Sequence, residues 1–568
     1  MNPLRAVVGV ISILLVVGVC IGLLAGVNNG GFDEEADEDD EKALSTTSKT
    51  VAAICKQTDY KHRCVVSICS TARNKSATPL DFVKAAINNT IHHVTLAKNN
   101  TANIIGKDVK NSTQKMALDD CDDLLQYAID ELQASLSAVD NSSVDTIQDG
   151  QAELKNWLSA VMSYHHTCLE GFANTPLFKP MVQTLINSTH LTSNALAIVS
   201  GISDILSAFG VPQNVNANQT SRRLMNSGYA SPTWMSIGDR KLLASRNNAN
   251  VEPNAIVAQD GSGRYKTIRA ALAAYPKNLT ERYVIYVKAG VYNENVTIAK
   301  DKVNVFMYGD GPRRTIVTGN KSYKNGIPTI RTASFSAIGD GFMAKSMGFQ
   351  NTAGAIGHQA VALRVQSDRA ALYNCRMDGY RNTLYQQTHR QFYRNCMISG
   401  TIDIIFGDAA AVVQNSLIVV RKPDPGQKNT ITAHERADKH ESTGLVIQNC
   451  RIVPDQKLFP VSSQFPSYLG RPRKPYSRTV IMESQIGGFI EPAGWLEWIC
   501  KLYLNTLYFA EYSNRGEGAN TSARVEWEGY HVLTEIKQAR RFRAARFIQA
   551  NQWLRTTGFP CLLGLKND

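Results

Sequence analysis

The chain predicts two domains of opposite class, an all-α helical bundle followed by an all-β parallel β-helix. Three observations carry this. Residues 45–210 place apolar residues at spacings of three and four, with Gly and Pro sparse inside each run. Beyond residue 255 the pattern changes to short β-branched runs punctuated by glycine. Within that second part an Asn followed by a small residue recurs at Asn351, Asn374, Asn395 and Asn415, at intervals of 23, 21 and 20, and again at Asn449. A period of roughly 20–25 residues is one coil of a β-helix, in which each coil buries its neighbour's strands. Asn side chains stacked at the coil corners are expected to satisfy turn backbone.

The elements follow in chain order. Residues 6–27 are uncharged, preceded by Arg5 and followed by an acidic run from Asp33 to Glu41. At about 1.5 Å per residue they are long enough to span a bilayer core. Residues 1–44 therefore read as a signal anchor or a cleaved signal peptide with an acidic flank, and either sends the chain into the secretory pathway. In the helical region, Leu118, Leu125, Ile129 and Leu132 share one stripe, and Leu154, Leu158, Val161 and Met162 another. An up-down bundle follows from this. Residues 211–253 lose periodicity and read as a linker. It carries Arg222-Arg223-Leu224-Met225 and Arg240-Lys241-Leu242-Leu243, which suit a processing protease. Strands are expected at Tyr283 to Val287, Asn304 to Tyr308 and Thr315 to Val317, inside a β domain of residues 254–568.

Eleven cysteines and eleven Asn-x-Ser/Thr sequons, seven of them before residue 220, suit an oxidising, glycosylating compartment. The close pairs are Cys55 with Cys64, Cys121 with Cys168, and Cys375 with Cys396; Cys69, Cys450, Cys500 and Cys561 have no evident partner. No Cys/His spacing matches a metal site, and His92-His93 and His165-His166 read as ordinary helix residues. The whole chain carries +12, but residues 244–568 carry 42 Lys and Arg against 25 Asp and Glu. A basic domain outside the cell suits an acidic polysaccharide better than nucleic acid. The membrane enters only through residues 6–27.

The segment Gly400 to Gly407, GTIDIIFG, places one carboxylate, Asp403, in an apolar run that reads as a buried strand. A carboxylate there is costly unless paired, so Asp403 is a functional candidate. The segment resembles the signature of plant pectin methylesterases. Further matching runs are VAQDGSGRYKTI from Val257, VKAGVYNENV from Val287, GHQAVALRVQSD from Gly357, RQFYRNCMISGTIDIIFG from Arg390 and YLGRP from Tyr468. The helical region resembles that family's inhibitor-like pro-domain, with Cys55, Cys64, Cys121 and Cys168 in TDY, ALDDC and TCLEGF contexts.

The resemblance implies a four-helix inhibitor-like bundle ahead of a right-handed parallel β-helix, without cofactor or metal. It implies a secreted cell-wall esterase that removes methyl groups from homogalacturonan, with the pro-domain as a partner in cis. By the same resemblance Asp403 is the nucleophile, Arg471 its guanidinium partner, and Gln359 an oxyanion or substrate amide. Thr329 becomes a substrate contact, and Tyr385 and Phe406 the apolar walls of the sugar groove. Three positions depart from the family pattern. Its oxyanion Gln is Arg381, its general-acid Asp is Asn382, and the Trp after LGRP is Arg473. Asn cannot transfer a proton near neutral pH, so acid–base catalysis worth about 10²–10⁴-fold is missing. Arg473 is expected to pair with a galacturonate carboxylate, and the groove to be about three charges more positive. The alternatives are a pectin-binding pseudoenzyme and an inhibitor of other esterases acting through the helical domain.

Overall fold

The computed structural model describes residues 50–74, 76–105, 111–211, 252–277, 279, 281–499 and 501–566. The leader at 1–44 and the processing motifs at Arg222, Arg223, Arg240, Lys241 and Leu243 lie outside the described residues. Among the described residues no single helix is long and apolar enough to cross a membrane. The chain divides into a helical unit and a β unit.

Four long helices make the helical unit: α1 (Pro79–Ile105), α2 (Ser112–Asp140), α3 (Ile147–Glu170) and α4 (Phe178–Ser200). Each packs on the next in sequence and α4 closes on α1, which is four-helix-bundle connectivity. Asn111 caps α2, its side chain accepting from Gln114 N–H at 2.9 Å. The predicted stripe is inside, with Leu118, Leu125 and Leu132 fully buried on α2 and Leu158 and Val161 on α3. Two disulfides pin the unit, Cys55–Cys64 and Cys121–Cys168, the second tying α2 to α3.

The β unit is a right-handed parallel β-helix of three parallel sheets with eleven, seven and eight strands. Successive members of a sheet come from successive coils, so neighbours in space lie one repeat apart in sequence. The interior is filled from all three faces, by residues such as Leu372, Met377, Leu384, Ile398 and Ile405, all fully buried. The expected strands form at Tyr283–Val287, Val305–Gly309 and Thr315–Gly319.

The Asn repeat marks one corner on four successive coils, between the eleven-stranded and eight-stranded sheets. Asn374, Asn395, Asn415 and Asn449 all have φ near +50°, with Ser346 and Glu483 continuing the column. Asn tolerates this left-handed conformation better than most residues, which explains the periodicity. The side chains bond to other side chains rather than to turn backbone: Asn374 Nδ2 donates to Ser346 Oγ at 2.9 Å, Asn395 Nδ2 to the Tyr373 hydroxyl at 3.2 Å and Asn449 Nδ2 to Asn415 Oδ1 at 3.3 Å. Asn351 is not part of this column. It ends the strand Gly348–Asn351 and donates to the carbonyls of Lys321, Thr332 and Val361.

The expected Cys375–Cys396 bridge is absent, and both thiols are free and buried. They follow Asn374 and Asn395 in the same column of adjacent coils, so their side chains run parallel. Parallel strands lie about 4.8 Å apart, more than the about 3.8 Å between Cβ atoms that a disulfide needs. Each thiol donates to a main-chain carbonyl instead, Cys375 to Tyr373 at 3.5 Å and Cys396 to Arg394 at 3.4 Å. Burial pushes the Cys396 and Cys450 thiols up to about 12 and Cys375 well above its ordinary value. Alkylation of folded protein at about pH 8 should therefore spare Cys375, Cys396 and Cys450. After unfolding without reductant all three should react; protection of Cys375 and Cys396 in that state would reveal a bridge.

Candidate active site

The seven-stranded sheet consists of β1 (Val296–Ile298), β2 (Phe335–Ala337), β3 (Leu363–Val365), β4 (Leu384–Gln386), β5 (Ile405–Gly407), β6 (Asn429–His434) and β7 (Ser467–Gly470). Leu384 pairs with Ile405, and Ile405 with Thr432. Two residues back along each strand, Asn382, Asp403 and Thr430 therefore form a column across three coils.

Asp403 is not inside a strand, contrary to the reading of GTIDIIFG as one. That segment breaks into the end of Met397–Gly400, a corner, and β5. Asp403 occupies the corner at φ 51° and Asn382 the equivalent corner at φ 63°. The turn is tight because Thr383 Oγ1 crosses to the Ser399 carbonyl at 2.9 Å. A Cβ at Gly400 would sit 2.6 Å from that hydroxyl, so only glycine fits.

Asp403 is 2 % exposed, with two hydrogen bonds on Oδ1 and one on Oδ2. Arg471 Nε and Nη2 donate to Oδ1 and Oδ2 at 2.7 Å each, a bidentate fork. Thr430 Oγ1 donates to Oδ1 at 2.8 Å and accepts from the Asp403 N–H at 2.9 Å. Burial pushes this carboxyl upward, but the Arg471 charge and hydrogen bonds, with Arg473 and Thr430 adding, hold it below the ordinary carboxylate value. Asp403 is thus an oriented anion at neutral pH.

Asn382 is 2 % exposed, and its Nδ2 is buried with no hydrogen-bond partner. Its N–H donates to the Ile402 carbonyl at 2.9 Å. Arg381 pairs through its backbone with Gln359 one coil earlier. Its Nε is likewise buried without a partner. Burial pulls its pKa down, Asp403 opposes that, and Arg471 and Arg473 repel it; as a guanidinium it stays charged.

Tyr385 and Phe406 stack at 4.3 Å and 10° on the outer face of the sheet, each only 3 % exposed. Ile330, beside Thr329 in the turn Thr329–Arg331, packs on the same apolar cluster. Arg473 does not stand free as expected. Its Nη1 pairs with Glu435, a buried carboxylate, and its guanidinium lies 5.6 Å from the Phe406 ring centre. The expected gain of about three positive charges is therefore reduced by Glu435. Sequence reasoning also missed Trp498, whose ring lies 4.3 Å from the Arg471 guanidinium and 5.9 Å from that of Arg473. Its only signal was an aromatic three residues after Trp495.

A family model for pectinesterase matches residues 254–551, and one for plant invertase/pectin methylesterase inhibitor matches residues 49–198. The chain is 41% identical over 564 residues to "Probable pectinesterase/pectinesterase inhibitor 21" of Arabidopsis thaliana, covering 99% of this chain and 82% of that one. It is 40% identical to "Pectinesterase 1" of Citrus sinensis, covering 96% and 92%. Among solved structures it is similar to a pectin methylesterase from carrot, at 50% identity and TM-score 0.55, covering 56% of this chain and 99% of that one. Fold and matches together define a β-helical carboxylic ester hydrolase that follows an inhibitor-like helical domain in sequence. The chain belongs to the pectinesterase family.

Replacing Arg471 by Gln should leave Asp403 as an uncompensated buried anion and destabilise the β domain by about 3–5 kcal/mol at neutral pH. The double variant Asp403→Asn/Arg471→Gln should recover much of this. The folded-state pKa of Asp403 is depressed, so the pair's contribution is present above the unfolded-state value and lost as pH falls through the folded one. In denaturant titrations the gap between wild type and Arg471→Gln should narrow on acidification. A constant gap would argue against the pair as its source.

Proposed function

We propose that the β-helical domain is a pectin methylesterase-type hydrolase with an intact nucleophile and a disabled proton relay, acting slowly on methyl-esterified homogalacturonan. The observation that carries this is the Asp403–Arg471 fork with Asn382 in register one coil away. Asp403 Oδ attacks the ester carbonyl carbon, and the carbonyl oxygen becomes an oxyanion facing Arg381 and Gln359. The C–O bond to the methyl group's oxygen then breaks, leaving an acyl–Asp403 anhydride whose carbonyl water attacks, breaking the bond to Asp403 and releasing the carboxylate product. A carboxyl at position 382 would protonate departing methoxide and later take a proton from water. Asn382 can do neither, so water itself must serve in both steps, at a cost of about 10²–10⁴-fold.

Arg381 brings a cation where the family has an amide, and it favours the carboxylate product of the reaction over the neutral ester. Arg473 is balanced by Glu435 and adds less. Thr329 and the edges of Tyr385 and Phe406 bound the sugar groove in this reading. Asn382→Asp should raise methanol release from methyl-esterified pectin by about 10²–10⁴-fold, and more when combined with Arg381→Gln. Full-rate release by the unaltered chain, unchanged by Asn382→Asp, would overturn the reading.

In the same reading the chain is secreted to the cell wall, residues 45–210 are a pro-domain acting in cis, and residues 211–253 are a linker. The complete basic motif Arg240-Lys241-Leu242-Leu243 favours cleavage after Leu243 over cleavage near Met225. N-terminal sequencing of wall-extracted protein should begin at Ala244. An intact chain, or one cut only after Met225, would count against it.

A further inference from the structure

The corner marked by the Asn column also forms a groove that the proposed reaction does not use. It has a volume of about 570 Å³ and lies where the eleven-stranded and eight-stranded sheets meet, sharing no lining residue with the Asp403 site. One wall is the column Asn374, Asn395, Asn415 and Asn449, the first three exposed. The other wall follows the register of the eight-stranded sheet, where Arg376, Met397, Leu417 and Arg451 occupy equivalent places on successive coils. Gln485 continues that row and pairs with Arg515; Arg313 stands at the far end.

No carboxylate lines this groove, although four arginines do. Arg376 is balanced by Asp378. Arg515 donates to the Glu483 carbonyl at 2.6 Å, which leaves its charge uncompensated. Arg313 and Arg451 are exposed and, among the described residues, make no ion pair or side-chain hydrogen bond. Arg313 and Arg451 are five coils apart, about 24 Å along the axis at about 4.8 Å per coil. The apolar side chains of Met397 and Leu417 lie between them.

We propose that this groove is a second binding site, for a run of acidic polysaccharide carrying a carboxylate on each sugar. Arg313, Arg451 and Arg515 meet carboxylates. The Asn amides, each both donor and acceptor, meet ring hydroxyls. Met397 and Leu417 take the apolar ring faces. The length of the groove selects a polymer over a single sugar, and its charge selects the de-esterified form. The naming of that polymer as galacturonan rests on the function proposed above; the groove's own chemistry specifies only a polyuronate. Such a site would hold the enzyme on regions of pectin already stripped of methyl groups.

The test is calorimetric titration of the full-length protein with a de-esterified oligogalacturonide at low and high salt. Wild type should show a binding event that weakens with salt. The variant Arg313→Gln/Arg451→Gln/Arg515→Gln should lose it, or weaken it at least tenfold. Met397→Glu, which places a repelling charge on the groove floor, should weaken the same event. A control that removes three exposed arginines elsewhere, Arg541→Gln/Arg546→Gln/Arg555→Gln, should retain it. Arg381→Gln should retain it too, which separates this groove from the Asp403 site. No binding by wild type, binding unchanged in the triple variant, or equal loss in the control would overturn the proposal. A fully methyl-esterified oligomer bound by the groove as tightly as the de-esterified one would also overturn it.

Discussion

In-register stacking of one coil on the next is the constraint on which the rest of the β domain depends. Parallel pairing fixes neighbouring backbones about 4.8 Å apart and points equivalent side chains the same way. A residue's partner is therefore whatever lies one repeat away in sequence. Asn382 meets Asp403 for this reason, and Asp403 meets Thr430. The Asn corner column and the Arg–Met–Leu–Arg row obey the same rule. Side-chain partners here are set in columns, and a substitution at one position is felt first by its neighbours above and below.

Within that lattice the bidentate Asp403–Arg471 pair decides what the site can do. It keeps a buried carboxylate ionised and aimed, which a nucleophile requires. The neighbouring arginines do not act as independent additions of charge. Arg473 is matched by Glu435, so the two form one neutral unit beside Phe406. Arg381 and Asn382, by contrast, each leave a buried nitrogen without a partner. Unsatisfied donors of this kind are expensive in a finished core and reasonable in a cleft that a ligand fills.

Much of the fold was legible because its signals are local and periodic. Apolar spacing gave α2 and α3, β-branched runs gave Tyr283–Val287, and left-handed corners gave Asn374, Asn395, Asn415 and Asn449. Where sequence reasoning failed, the decisive geometry was not periodic. Asn351 fits the interval but sits at a strand end, bonded to three carbonyls. GTIDIIFG is apolar enough for one strand, yet Thr383 forces a corner through it. Thr430 lies 27 residues after Asp403, outside the 20–23 spacing, because the coil there is longer. Glu435 and Trp498 reach the site through side chains from other coils, and no spacing rule announces them.

The cysteines divide the molecule by its dependence on an oxidant. Among the described residues both disulfides lie in the helical unit, closing loops of 9 and 47 residues. On a chain-entropy account these contribute roughly 2.5 and 4 kcal/mol. The three thiols of the coil column are unbridged and sealed within the core. A reducing environment would thus loosen the bundle while leaving the solenoid's cohesion, which rests on strand pairing and packing, untouched. By the described cysteines, the two halves of one polypeptide would mature under different chemical supervision, the first waiting on thiol oxidation and the second on the pairing of its own coils.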